Sequence, residues 1–150
     1  MLVKRLGVKD KELVKQCDEL FIKFLDSEGE YDYNYKKRTN LNSFLCDIEE
    51  ESNMLLVAIK DDKVLAFLYG YIEIKKRMKE PVAHLAFIYV DEGYRKQNIA
   101  TNLINEYIKI LKEKSIPNIE VKSYKRNIAA NRLYNKFGFD ELWVNYRKRL

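Results

Sequence analysis

The stretch VAHLAFIYV at residues 82–90 is apolar at nearly every position, and it constrains the fold more than any other segment. A strand with one wet face alternates, whereas a run apolar on both sides of the pleat must be covered on both faces. Such a strand belongs inside a sheet with helices packed above and below it. A polar turn, YRKQN, follows within a few residues, and Ile99, Ala100, Leu103 and Ile104 then begin an amphipathic helix. At such a seam the first main-chain N–H groups of the helix lack partners and the positive end of its dipole is exposed. A phosphate group suits that position. Arg95 can add positive charge there or brace the turn, and Ala100 is small enough to let the helix pack closely. Asn98 sits where Gly is preferred, but Asn tolerates left-handed backbone better than most residues. A capped turn carrying solvated charges accounts for the same residues without any ligand.

Periodicity extends the pattern in both directions. Residues 2–6 alternate as a first strand, and residues 10–25 place Leu13, Val14, Cys17, Leu20, Phe21 and Phe24 at helical spacing, with Asp10 as a candidate N-cap. The Tyr-rich stretch EGEYDYNYKKRTN reads as a loop or lid, and residues 40–51 as a second helix. Residues 54–60 and 63–74 read as two strands around an Asp61-Asp62 turn. After the central strand come a helix over about 98–114, a strand over 116–124, a helix over 127–138 stopped by Gly138, and a last alternating strand over 141–150. Hairpins therefore come first and crossover helices later. That order predicts a single α/β (α+β) domain over residues 1–150 with a mixed sheet.

Composition narrows the partners. With 150 residues, the chain can bury a core without disulfides or metal. No apolar run is long enough to span a membrane, and the N-terminal MLVKRLGVKDKELVKQ lacks an apolar signal core. Cys17 and Cys46 have neither metal-type nor CxxC spacing, so free thiols in a reducing cytoplasm are expected, with no metal site. The net charge of +5 invites an anionic partner. The basic residues are scattered, though, with no block of five or more, which argues against nucleic acid.

A second constellation lies at residues 127–139, NIAANRLYNKFGF. Asn127, Ala130, Asn131, Tyr134 and Phe137 share one helix face, which carries two amides and a phenol. Alone, Asn127 reads equally well as an N-cap and Tyr134 as an aromatic at the edge of the core. Taken with Arg95-Lys96-Gln97-Asn98-Ile99-Ala100, the segment resembles the GNAT family of N-acetyltransferases, which move acetyl from acetyl-CoA to an amine. The family's phosphate motif is Arg or Gln, two residues, Gly, one residue, then Gly or Ala; its later motif has Asn, Ala, Leu-Tyr and Gly-Phe at the spacing found here. The resemblance covers residues 2–150 and implies a mixed sheet of about six or seven strands, splayed at the middle and flanked by about four helices.

It also implies roles. The main-chain N–H groups of Arg95, Lys96, Gln97, Asn98, Ile99 and Ala100 would cradle the CoA pyrophosphate, and Thr101 could add a hydroxyl. The backbone of Ile88, Tyr89 and Val90 would pair with the pantetheine arm, and Asn127, with Asn131 on the same face, would contact it from the later helix. Tyr134 matches the general acid that protonates the departing thiolate. Asn98 departs from the expected Gly, which predicts weaker CoA binding rather than its loss, and Glu92-Gly93 replaces a common Pro-Glu-type turn.

An ammonium must lose a proton before it can attack a thioester, and a typical Lys holds its own up to pH about 10. Many family members use a Glu on the central strand, but the matching position here is Ala86. His84, the only His, and Glu73 on the neighbouring strand are the candidate bases. Each also reads as a structural residue, and a water relay needs neither. The acceptor amine is expected near Tyr31 and Tyr33, where aromatics and carboxylates suit a cation. The expected function is acetyl transfer to a primary amine, on a protein, peptide or small molecule, by direct attack in a ternary complex. The alternative is a CoA-binding regulatory or interaction module with little activity. A homodimer is left open.

Overall fold

The computed structural model describes residues 1–150. Five strands form one sheet in the order β1-β2-β3-β4-β5. These are β1 (Leu2–Leu6), β2 (Asn53–Lys60), β3 (Lys63–Glu73), β4 (Val82–Val90) and β5 (Asn118–Val121). Neighbours from β1 to β4 run antiparallel, whereas β4 and β5 are parallel. Four α-helices accompany them: α1 (Lys11–Glu28), α2 (Phe44–Asp47), α3 (Ile99–Glu113) and α4 (Ile128–Lys136). Asp61 and Asp62 both take positive φ, +50° and +60°, which is the two-residue turn whose twist suits a hairpin.

The doubly apolar strands are covered on both faces, as their composition requires. Leu55, Val57, Phe67 and Tyr69 face α1 and α2, where Val14, Cys17, Phe21, Leu25 and Phe44 complete one core. Met54, Leu56, Ala66, Leu68 and Leu85 face the other way, against Leu103, Ile104, Tyr107 and Leu111 of α3 and Tyr134 of α4. Cys17 is buried, Cys46 is exposed, and neither is bridged.

Three expectations need correction. The second helix is a single turn, Phe44–Asp47, capped by the Ser43 hydroxyl, which accepts from Leu45 N at 3.2 Å. The residues around it are held by Asp18, which accepts from Ser43 Oγ and Phe44 N. Asp10 sits at the N-cap of α1 but makes no capping bond; its carboxylate accepts instead from Gly7 N and Lys4 Nζ. The alternating residues 141–150 form no strand, so the sheet has five strands rather than six or seven. The edge available to them, β5, is only 4 residues long. Their side chains find other partners: Arg147 grips Asp32 with both guanidinium nitrogens, at 2.6 and 2.9 Å, and Lys122 lies over the Trp143 ring. With no ladder to bury them, Leu142, Trp143, Val144 and Tyr146 stay exposed.

Candidate active site

The sheet opens on one side of β4. Val82 to Leu85 pair with Asn118 to Val121, and beyond Leu85 the two strands part. From Ala86 to Val90 that edge of β4 has no strand partner, while the opposite edge stays paired with β3. The parting coincides with a bulge. Tyr69 faces Phe87 and Gly70 faces Leu85, so Ala86 is the extra residue. The bulge is braced from α3, where the buried Tyr107 hydroxyl donates to His84 O at 2.9 Å. Only a glycine fits beneath this contact: a Cβ on Gly70 would lie 2.3 Å from Tyr107 Oη and 2.7 Å from His84 O.

At the end of β4 a short 3-10 turn, Glu92–Tyr94, leads into α3. Lys96 and Asn98 both adopt left-handed backbone, with φ of 61° and 60°. The main-chain N–H groups from Lys96 to Thr101 donate to no protein atom, and Arg95 to Asn98 are exposed. Six adjacent donors at the positive end of a helix form a concave anion seat. Arg95 braces this turn: its Nε donates to Val90 O at 3.1 Å, and its guanidinium lies 5.4 Å from the Tyr89 ring centroid. It therefore anchors the seat and does not point into it as a free charge.

The later motif is built by helix capping. The Asn127 side chain accepts from Ala130 N at 3.2 Å and starts α4. Asn131 Nδ2 donates to Tyr124 O and Lys125 O, tying down the loop before the helix. At the other end Gly138, at φ +81°, allows Gly138 N to bond Asn135 O and Phe139 N to bond Tyr134 O. These two bonds are the pair expected of a glycine stop, with the usual apolar contact between Phe139 and Tyr134, whose rings are 5.7 Å apart. The Leu-Tyr…Gly-Phe spelling thus fixes the depth and direction of Tyr134. The Tyr134 ring is 8% exposed, and its hydroxyl donates to no protein atom. Burial, with a smaller contribution from the Glu28 charge, pushes its pKa up to about 12.

His84 and Glu73 do meet. His84 Nε2 lies 3.1 Å from Glu73 Oε2, and the imidazole stacks on Tyr71 at 4.7 Å. The approach is at ion-pair distance but off the line of a hydrogen bond, so Nε2 has no aligned partner. The pair lies on the α1 face of β3 and β4, just before the strands part.

The Tyr-rich loop divides in two. Tyr31 stacks on Tyr124 at 5.9 Å and 23°. The Tyr33 face is covered by the protein's own Arg147 and Arg149, at 5.4 and 5.8 Å. Asp32, gripped by Arg147, has its carboxyl held down at about 2. Sequence reasoning passed over Glu28, which ends α1 and is half-buried. Its charge raises the pKa of Tyr35, Tyr124 and Tyr134 alike. In the sequence it reads as one more acid at the start of a polar loop, because nothing local marks which helix-end carboxylate will act on the α4 phenol.

The acetyltransferase (GNAT) family model matches residues 15–139. No curated protein matches the chain significantly. Among solved structures, an aminoglycoside acetyltransferase from an uncultured soil metagenomic sample is 19% identical, with 99% of this chain and 95% of that one covered and a TM-score of 0.74. An aminoglycoside N-acetyltransferase in complex with CoA is 18% identical, with 99% and 100% covered and a TM-score of 0.71. A ribosomal-protein-alanine N-acetyltransferase from Brucella melitensis biovar Abortus 2308 is 17% identical, with 100% and 99% covered and a TM-score of 0.74.

Proposed function

The chain belongs to the acetyltransferase (GNAT) family, and from that premise we propose that it transfers acetyl from acetyl-CoA to a primary amine by direct attack in a ternary complex. The observation that carries this reading is the run of unbonded main-chain donors from Lys96 to Thr101, directly beyond the unpaired edge of β4. A diphosphate would sit on those donors, and an extended amide-bearing arm would add to the edge from Ala86 to Val90 as a strand would. The arm's far end would then lie where β4 and β5 part, between the bulge and α4. Acetyl-CoA supplies an activated thioester; the protein supplies orientation and proton transfer.

Tyr134 is the proton donor to the departing sulfur. A phenol with a pKa near 12 stays protonated at any physiological pH. A free thiol has a pKa near 8.5, so the donation is modest assistance and positioning contributes the rest. His84, with Glu73 against it, is a candidate base beside the bulge. Asn127 and Asn131 act on the coenzyme indirectly, by setting the start of α4 and the loop before it. The acceptor is an amine, the chemistry shared by the aminoglycoside and ribosomal-protein-alanine enzymes of this fold.

The test has two stages. Acetyl-CoA at 100 times its Kd should stabilise the native protein by about 2.7 kcal/mol and raise the melting temperature. Free-thiol release is then followed over a panel of amines with the wild type and Tyr134→Phe. The variant should turn over more slowly with nearly unchanged acetyl-CoA affinity. Equal turnover removes Tyr134 from the reaction, and no melting shift with acetyl-CoA ends the proposal.

A further inference from the structure

The geometry points to Glu28 as the group that receives the acceptor's ammonium and takes its proton. This inference rests on the acetyl-transfer reading above and adds the residue that recognises the amine.

Glu28 is the last residue of α1, at the negative end of the helix dipole, where a carboxylate is unfavourable. It is half-buried, and burial pushes its carboxyl above the ordinary value. Its side chain accepts no hydrogen bond and forms no ion pair in a protein of net charge +5. No lysine or arginine lies within ion-pair distance of it. Lys37 pairs with Asp26, Lys23 with Asp91 and Arg147 with Asp32. The Arg38 guanidinium lies over the Phe21 and Phe87 rings, at 5.5 and 5.8 Å. A half-buried carboxylate left without a counter-ion lowers stability and is repaid when a cation arrives.

The surroundings fit a primary ammonium. Tyr31, whose N–H donates to Glu28 O at 3.1 Å, stacks on Tyr124 and forms an aromatic wall beside the acid. The Tyr35 hydroxyl is buried with no partner. Phe24, one turn before Glu28, packs on Phe87 and Tyr89 of the unpaired stretch of β4, and Tyr124 O accepts from Asn131 of α4, one turn before Tyr134; the Glu28 charge acts on the Tyr134 phenol. The Glu28 charge acts on the phenols of Tyr35, Tyr124 and Tyr134; Arg38, Lys37 and Asp26 also act on Tyr35, and the Asp32–Arg147 pair on Tyr124. Arg38, the one cation acting on Tyr35 that pairs with no carboxylate, stands over phenyl rings and forms no ion pair with Glu28. The incoming nitrogen and the proton donor thus share one neighbour.

The step balances. The ammonium passes one proton to the Glu28 carboxylate, and the freed nitrogen lone pair bonds to the acetyl carbonyl carbon as the carbon–sulfur bond breaks. The sulfur takes the Tyr134 proton. The second surplus proton on nitrogen restores Tyr134 through solvent, and Glu28 releases its own to solvent. One ammonium and one thioester become one amide, one thiol and one proton.

The test uses the full chain labelled with carbon-13 at its glutamate carboxyls. It is titrated with alaninamide and with tobramycin, with CoA bound and again without it. Either amine should shift the Glu28 carboxyl signal saturably. Calorimetry should show amine binding at least tenfold weaker in Glu28→Gln and partly restored in Glu28→Asp. CoA affinity should change less than twofold, and the melting temperature of Glu28→Gln should not fall. Equal amine binding by wild type and Glu28→Gln overturns the inference, as does the absence of a saturable shift with both amines. A protein that binds amine through Glu28 but not CoA would instead sink the acetyl-transfer reading.

Discussion

Replacing Gly70 by Ala tests the link between core packing and the coenzyme site. The added Cβ would fall 2.3 Å from Tyr107 Oη, 2.5 Å from Tyr107 Cζ and 2.7 Å from His84 O. Two of these atoms belong to a side chain that is fully buried and so has nowhere to swing. The third is backbone. Relief requires Tyr107 to withdraw, which breaks its 2.9 Å bond to His84 O. Leaving a buried hydroxyl and carbonyl unpaired costs about 1–3 kcal/mol, and overpacking a close-packed core adds about 1–3 kcal/mol. The sum, roughly 2–6 kcal/mol, is a large part of the ~5–15 kcal/mol that holds a typical domain folded. With a urea slope of about 2 kcal/mol/M, a loss of ~4 kcal/mol lowers the midpoint by roughly 2 M. The control is Gly93→Ala, whose Cβ meets nothing within 4 Å and which should stay within about 0.5 kcal/mol of wild type. Because His84 O lies at the bulge where β4 leaves β5, Gly70→Ala should also weaken acetyl-CoA binding. Matching urea midpoints for the two variants would refute the brace and, with it, the account of why β4 opens there.

Other outcomes follow from the same geometry. Asn98→Gly should leave stability within about 0.5 kcal/mol, since the gain at φ +60° is offset by a freer unfolded chain; CoA affinity should rise by calorimetry, because a side chain leaves the anion seat. Asn98→Val, a branched residue forced into that backbone, should cost about 1–3 kcal/mol. The Asp32–Arg147 pair should be intact at neutral pH and be lost as pH falls from the unfolded carboxyl value of 3.8 through about 2. Its loss frees the C-terminal segment and should speed amide hydrogen exchange over residues 141–150; Arg147→Ala should give the same loss of protection at pH 7. If Tyr134 is the proton donor, its ionisation near pH 12 leaves kcat without an alkaline limb of its own below about pH 11. A limb near pH 9 that vanishes in Tyr134→Phe would contradict its burial.

What could be read in the sequence was what local spacing encodes. The run 82–90 demanded cover on both faces, and two cores flank it. The turn after it fell where chain direction and helix polarity coincide, so a run of free donors was expected from Arg95 to Ala100; Arg95 N instead bonds Glu92 O, and the free run is Lys96 to Thr101. The later motif was legible for the same reason: Asn127 and Gly138 are start and stop signals, and Tyr134 is placed by the stop. The last strand misled because alternation marks a residue pattern but not the availability of an edge. Residues 141–150 alternate, yet the four residues of β5 offer too little ladder, and Asp32 offers Arg147 a charged partner instead. The second helix misled in the other direction, since Leu41, Phe44, Leu45 and Ile48 pack against the first core from one short turn and its flanks.

The remaining site residues arise where distant segments cross, and there the acids and bases divide by environment. Glu73 and His84 lie 3.1 Å apart on neighbouring strands, with the imidazole stacked on Tyr71. Asp32 is neutralised by an arginine 115 residues away. Glu28 has neither kind of relief, although it is half-buried and its charge acts on the Tyr134 phenol of the family motif. A chain with 28 basic residues could have supplied a counter-ion to that position at little cost in helix propensity. Instead it pairs Asp26 and Asp32 on either side and leaves Glu28 without a counter-ion, which is the basis of the proposal that the acceptor brings its own positive charge. The donor seat starts α3, on one face of the sheet, and the bare acid ends α1, on the other, and the two are opposite in sign. The proposed reaction would use that polarity to bring an anionic coenzyme and a cationic acceptor to one carbonyl carbon from different sides.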